Sequence, residues 1–383
     1  MISKKKRIHI LQIVGDPVGG IRKHVHSIIK RLDSQAFEQS YVFSSVARDK
    51  TFIKEIELLR PALVFSISLK IIKRPCFSDI FNILILIFYC RKKGVNLLHG
   101  HGAKGGLYAR LVGFFCRIPS VYTPHGGVVH NMFRSFEKRL YITIEKLLVM
   151  ITDFYIFESK YTADSFISNI SSLKDNWLIN FNGIDFTSII PTQISKTSCN
   201  HLDIGVFGVL RREKGQIFLI NAVARLNKVN NINVKLHIFG EGVDKNILSD
   251  RVLELGLQNG IFFYGDVSNP LEKMNEMDLI VIPSLYESFG FVGLESACLG
   301  KPLIVTGVGG LLDIFNEDTA YIVKPSDEDA LANGILEFVN NPKPFKTRAI
   351  RARRFCSKNF SIDKMIDGLS ITYSSIGRGN KNE

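Results

Sequence analysis

Short apolar runs alternate with amphipathic stretches from one end of the chain to the other. RIHILQIV, SYVFSS, VNLLHG, SVYTPH and DFYIFES punctuate the first half; LDIGVFGVL, NVKLHIFG, IFFYGD, DLIVIPS and PLIVTGV punctuate the second. Between them lie helix-period segments such as GIRKHVHSIIKRL, GGLYARLVGFF, GQIFLINAVARLNKV and FGFVGLESACLG. Buried strands separated by helices, with glycine at the turns, predict parallel, doubly wound α/β sheets. A chain of 383 residues exceeds one ordinary core, so two Rossmann-like domains are expected. The polar stretch PTQISKTSCN (191–200) marks the join. The expected division is 1–190, then 201–360, then 361–383 as a helix and tail crossing back to the first domain. The last two helical stretches, KTRAIRARRFCSKNF and SIDKMIDGLSITYSSI, are both candidates to brace that domain.

The densest apolar run, FNILILIFYC (81–90), is ten residues long and followed by RKK. It is too short to span a bilayer. A buried helix is the first expectation for it, an interfacial membrane helix with a basic end the second. The opening MISKKKRIHILQIV is basic, then apolar, but Gly15, Asp16 and Pro17 end it, which suits a first strand rather than a signal peptide. Six scattered cysteines with no CxxC pair suit a reducing compartment, so a cytoplasmic protein is expected. Charge adds a further distinction. Residues 1–190 carry 27 Lys and Arg against 14 Asp and Glu, whereas residues 191–383 carry 22 of each. The positive excess lies wholly in the first half and points to an anionic partner there. With no RNP-like, helix-turn-helix or zinc-finger pattern, an anionic membrane face is expected and nucleic acid is not.

Several strand-to-helix turns carry candidate chemistry. In GDPVGGIRKHV, Gly19 and Gly20 open a helix and leave backbone N–H groups accessible to an anion. In VLRREKGQ, Arg211, Arg212 and Lys214 stand at another helix start, where positive charge suits phosphate. ESFGFVGLE places Glu287 and Glu295 eight positions apart, with Ser288, Phe289 and Gly290 between them opening a helix. Eight helical residues would span roughly 12 Å. That exceeds the carboxyl separations of about 5–9.5 Å used by glycosidases, so the pair would hold the two ends of a long ligand instead. TGVGGLLDI sets Gly309 and Gly310 at one more such turn. His99, His101, His125 and His130 show no supporting carboxylate or cysteine pattern and no outer hydrogen-bonding partners in the sequence, so none is read as a metal ligand. Structural hydrogen bonding is expected of His99 and His101; His125, in the loop TPHGG, is the site candidate.

The ordered motifs GGIRKHV, LLHGHGAKGGLYARL, YTPHGG, NGID, GVLRREKG, FGEG, PSLYESFGFVGLE, GKPLIV and GVGG resemble the retaining glycosyltransferases of family 4, over roughly residues 7–325. HGHGAKGG and TPHGG look most like members that build bacterial surface polysaccharides. The resemblance implies the GT-B fold, two Rossmann-like domains facing each other across a cleft. It implies a nucleotide-sugar donor, a UDP-sugar by family frequency, with GDP open; the basic first half adds the expectation of a lipid-linked saccharide or lipopolysaccharide acceptor at the inner membrane face. Glu295 would hold the ribose, Glu287 the donor sugar, and Arg211 and Lys214 the diphosphate. Ser288, Phe289 and Gly290 would place sugar and phosphate, with Gly19, Gly20 and His125 approaching from the first domain. Glu287, His125, Arg211 and Lys214 would be the catalytic set, with no metal and no cofactor. Two positions depart from the pattern: Val209 stands where many members carry arginine, and Asp313 where they carry glutamate. A nucleotide-sugar epimerase of the same fold, and a non-catalytic carbohydrate- or membrane-binding scaffold, are the alternative readings.

Overall fold

A computed structural model describes residues 6–46, 50–72, 74–126, 135–189, 201–227 and 232–379. The join at 191–200 and His130 lie outside these residues. The chain divides into two compact units, Met1–Gly183 with Ile362–Glu383, and Ile184–Ser361.

The first unit is built on β1 (Ile8–Val14), β2 (Phe37–Ser44), β3 (Phe65–Leu69), β4 (Leu97–His101), β5 (Ser120–Thr123), β6 (Phe154–Phe157) and β7 (Trp177–Ile179). They form a parallel sheet in the order β3-β2-β1-β4-β5-β6-β7. The second unit carries β8 (Leu202–Phe207), β9 (Val234–Phe239), β10 (Ile261–Gly265), β11 (Leu279–Ile282), β12 (Leu303–Thr306) and β13 (Tyr321–Val323). Their order, β10-β9-β8-β11-β12-β13, repeats the first sheet's logic, again with parallel pairing. In both sheets the order reverses beside the unit's first strand, between β1 and β4 and between β8 and β11. Doubly wound sheets bind ligands at the carboxyl ends of strands around such a reversal.

Central strands are the ones buried along their whole length. Every residue of β1 is buried, and its run is continuously apolar but for His9 and Gln12. The helix Gly102–Cys116 lies close on β1 and β4. A Cβ added at Gly105 would sit 2.2 Å from the carbonyl oxygen of Ile13, so this glycine permits helix-to-sheet contact. HGHGAKGG is therefore in part a packing motif.

Of the two final helices, Pro342–Asn359 packs in the second unit, where its Phe345 joins the core of Leu331, Ile335 and Phe338. Only Ile362–Gly379 returns to the first. There Met365, Ile366 and Leu369 pack with Ile8, Ile10 and Ile28. Its Tyr373 hydroxyl lies 2.6 Å from His99 Nδ1, while His99 Nε2 is 2.9 Å from Thr123 Oγ1. His99 thus has the structural hydrogen bonding expected of it.

The run at 81–90 departs from its first expectation, that of a buried helix. The helix Ser78–Lys93 turns Asp79, Asn82, Leu86 and Cys90 inward and leaves an apolar stripe outside. Phe77 is 86% exposed, Phe81 66% and Phe88 59%, with Ile80 and Leu84 between them. The inward side is polar for a reason: Asp79 accepts from Lys104 and Tyr108, and Asn82 donates to Tyr108 Oη at 3.0 Å. Among the described residues, no helix is long and apolar enough to cross a membrane.

Candidate active site

In the second unit, three loops at the carboxyl ends of β8, β11 and β12 come together. The β8 loop ends in a single turn, Arg212–Lys214, and then Gly215 caps the helix Gln216–Arg225. Lys214 Nζ donates to Glu287 Oε1 at 2.6 Å, and Ser284 Oγ donates to the same oxygen at 3.0 Å. The backbone ties the loops as well: Leu285 N–H donates to Glu213 O at 2.8 Å, and Gly310 N–H to Glu287 O at 2.9 Å. A Cβ at Gly310 would lie 2.4 Å from Ser288 O, so only glycine lets the β12 loop approach this closely. Arg211 remains partly exposed, 3.8 Å from Glu213.

The helix Phe291–Leu299 begins at its cap, Gly290, at a φ of 113°. Ser288 and Phe289 lead into it, and the Phe289 side chain is buried in the unit. Glu287 precedes the helix in the loop, whereas Glu295 lies inside it with its carboxylate largely buried. The two glutamates thus belong to different structural settings, one paired with a cation in a loop and one fixed on a helix. Sequence reasoning named Lys214, Glu287 and the Gly309–Gly310 turn but missed Ser284 and the backbone of Glu213. The PS before LYES was the available signal for Ser284.

The first unit has its own polar constellation. Gly19 and Gly20 open the helix Gly19–Arg31 as expected, and His24 lies buried one turn later. His101 ends β4, His125 follows β5, Glu158 follows β6 and Asn182 follows β7, so successive strand ends supply successive groups. His125 has a φ of 50° and hydrogen-bonds through Nδ1 to Glu158 Oε2 at 2.6 Å. Its Nε2 is 3.3 Å from His101 Nδ1. Asn182 Nδ2 donates to Glu158 Oε2 at 2.7 Å, while Asn182 Oδ1 lies 2.5 Å from His24 Nδ1. Burial works to raise the Glu158 carboxyl pKa, but His125, His24 and Asn182 outweigh it and hold it at about 2. Burial also pushes His24 down to about 3 and His101 well below the ordinary histidine range. His24, Glu158, Asn182 and Gln12 were not singled out from the sequence. Position at a strand end was the available pointer to Glu158, and the NGID motif the pointer to Asn182.

Two family descriptions match the chain: Glycosyltransferase Family 4 over residues 18–187, and Glycosyl transferases group 1 over residues 195–355. Between them they take in most of both units. The chain belongs to these glycosyltransferases. It is 24% identical over 312 residues to the capsular polysaccharide biosynthesis glycosyltransferase CapM of Staphylococcus aureus, covering 78% of this chain and 82% of CapM. It is 27% identical over 256 residues to an N-acetylgalactosaminyltransferase of Campylobacter jejuni that acts on a diphospho-undecaprenol-linked sugar, covering 65% of this chain and 67% of that protein. Among solved structures, Anabaena HepE in complex with UDP-glucose superposes with a TM-score of 0.81 at 20% identity, over 96% of this chain and all of that one. That likeness bears on architecture: this glycosyltransferase has the GT-B fold. As a glycosyltransferase it is an enzyme of the hexosyltransferase type, with relatives in bacterial surface-polysaccharide synthesis.

Proposed function

We propose that the protein is a retaining glycosyltransferase that moves a sugar from a UDP-sugar to a lipid-linked saccharide or lipopolysaccharide acceptor, in cell-surface polysaccharide synthesis. The observation that carries this reading is the Lys214–Glu287 contact. A cation suited to a diphosphate and a carboxylate suited to sugar hydroxyls are held side by side by three strand-end loops. Lys214 and Arg211 are assigned to the diphosphate, Glu287 to the donor sugar and Glu295 to the ribose. Ser288, Phe289 and Gly290 bring the start of the helix Phe291–Leu299 to the same ligand. Gly19, Gly20 and His125 are assigned to the donor from the first unit.

As the glycosidic bond to phosphate breaks, negative charge accumulates on the diphosphate and positive charge on the sugar ring. Lys214, Arg211 and the helix dipole oppose the first charge electrostatically, so no cofactor or divalent metal is assigned to the transfer step. The acceptor hydroxyl attacks the face that the diphosphate leaves and passes its proton to the departing phosphate, which retains configuration. Glu287 is not a covalent nucleophile in this scheme, since its carboxylate is engaged by Lys214 and Ser284.

The acceptor side is assigned to an anionic membrane surface at the inner face. The apolar stripe of Phe77, Ile80, Phe81, Leu84 and Phe88 ends in exposed Arg91, Lys92 and Lys93, which matches an interfacial helix lying on anionic lipid. Thermal unfolding with UDP, GDP, ADP and dTDP, each with and without EDTA, tests the donor half. A nucleotide at about 100 times its dissociation constant stabilises by roughly 2.7 kcal/mol. A UDP shift that survives EDTA is expected; no shift with any nucleotide would overturn the reading.

A further inference from the structure

Three histidines of the first unit, His24, His101 and His125, cluster together, the first two buried and the third partly so. One ring nitrogen from each lies within 4.8 Å of the other two. The opposite nitrogen of each ring is already engaged: His24 Nδ1 by Asn182 Oδ1, His101 Nε2 by Gln12 Oε1 at 2.9 Å, and His125 Nδ1 by Glu158. Each outer partner is an acceptor, so each fixes a proton on the outer nitrogen and leaves a lone pair on the inner one. Such an outer partner for every imidazole is the pattern that orients histidine ligands in metal sites.

A proton shared between His101 Nδ1 and His125 Nε2 would satisfy only those two. His24 Nε2 would remain buried and, among the described residues, without a hydrogen-bond partner. Buried polar atoms are rarely left so. A metal ion satisfies all three. Two nitrogens bound at about 2.0–2.1 Å to a tetrahedral ion are themselves about 3.3–3.4 Å apart, and His101 Nδ1 and His125 Nε2 are separated by 3.3 Å. Glu158, behind His125, supplies a negative charge to offset the cation.

We propose that the first unit binds a divalent transition metal, zinc fitting best, through His24 Nε2, His101 Nδ1 and His125 Nε2. Neutral imidazole donors suit zinc among the common ions, and three protein ligands leave a fourth position for water or an anion. If His125 also faces the donor, as proposed above, zinc and donor compete for its Nε2 and zinc slows transfer. That consequence rests on the proposed function; the metal site itself does not.

The test is a Co2+ titration of the full-length protein after EDTA treatment and dialysis. One equivalent should bind with the visible absorption of four-coordinate Co2+, Zn2+ should displace it, and either ion should raise the unfolding temperature. His24→Gln should abolish the absorption, and Gln12→Met, which removes the outer acceptor of His101 and leaves all three ligands in place, should weaken binding about 10–100-fold. His125→Gln, on a loop, serves if the His24 variant unfolds. No stoichiometric Co2+ binding by the wild-type protein, or binding that survives both histidine substitutions, would overturn the site. Failure of the transferase reading would look different: the cobalt spectrum would persist while no nucleotide shifted the unfolding.

Discussion

The two units use one strand order to opposite chemical ends. At the carboxyl edge of the first sheet, β4 to β7 present His101, His125, Glu158 and Asn182, packed into a hydrogen-bonded, largely buried cluster. At the corresponding edge of the second, glycine-bearing loops leave a lysine–carboxylate pair only partly buried, with Arg211 exposed beside it. A buried, hydrogen-bonded cluster is preorganised and costly to perturb. A partly exposed ion pair in loops can exchange partners with a ligand. The scaffold is common to both; the strand-end side chains decide what each can bind.

The sharpest way to break this contrast is to strike the first unit where its charges are deepest. Arg110 and Glu145 form a fully buried pair, 2.7 Å at the closer contact, with Arg110 over the Tyr122 ring. Glu145→Ala leaves the guanidinium unpaired and should destabilise the first unit by about 3–5 kcal/mol. Denaturant unfolding should then show an early transition, with the second unit's own unfolding unmoved. Lys214→Ala strikes the second unit instead. Loss of one electrostatic group acting on the departing diphosphate should lower kcat about 10²–10³-fold, and circular dichroism should find the fold unchanged. Weaker effects are expected at the membrane stripe. Lys92→Gln with Lys93→Gln should cost vesicle binding about 1 kcal/mol per charge, read by flotation on anionic vesicles, with added salt erasing the difference. Binding indifferent to both salt and substitution would remove the anionic-lipid assignment.

The smallest effect concerns pH. Burial raises the Asp79 pKa, but Lys104, Tyr108 and the Cys76 N–H together carry it below the ordinary value of 3.8. A carboxyl with a lowered folded-state pKa binds fewer protons folded than unfolded, so its stabilisation is present above that ordinary value and fades as pH falls through the lower one. The helix Ser78–Lys93 should therefore loosen in acid, below about pH 4, as faster amide exchange along it. Asp79→Asn should be less stable at neutral pH and should lose that acid-side change.

How much of this was legible depended on how local the information was. The apolar runs identify ten of the strands, and for most of them burial on both faces leaves a continuous signal. β3, β7 and β13 went unread: they are three to five residues long and only partly buried. The helix at 78–93 misled because hydrophobicity alone does not say which side faces in. Asp79 and Asn82 were needed inside to meet Tyr108 and Lys104 from a distant segment. The second unit's site was legible since Lys214 lies within five residues of Arg211 and since Glu287, Ser288, Phe289, Gly290 and Glu295 form one contiguous motif. The first unit's histidine cluster was not, because its members are 24, 101, 125, 158 and 182, joined only when the sheet forms.

The position of the helix Ile362–Gly379 has a consequence for biosynthesis. A ribosome completes every strand of the first sheet before it begins the second, yet His99 meets Tyr373 only after nearly the whole chain has been made. Until then Ile8, Ile10 and Ile28 lack the Met365, Ile366 and Leu369 that pack with them. Domains generally fold as units during synthesis. Here the unit whose strands are translated first lacks its closing helix until all of the second unit's residues, 184–361, have been made.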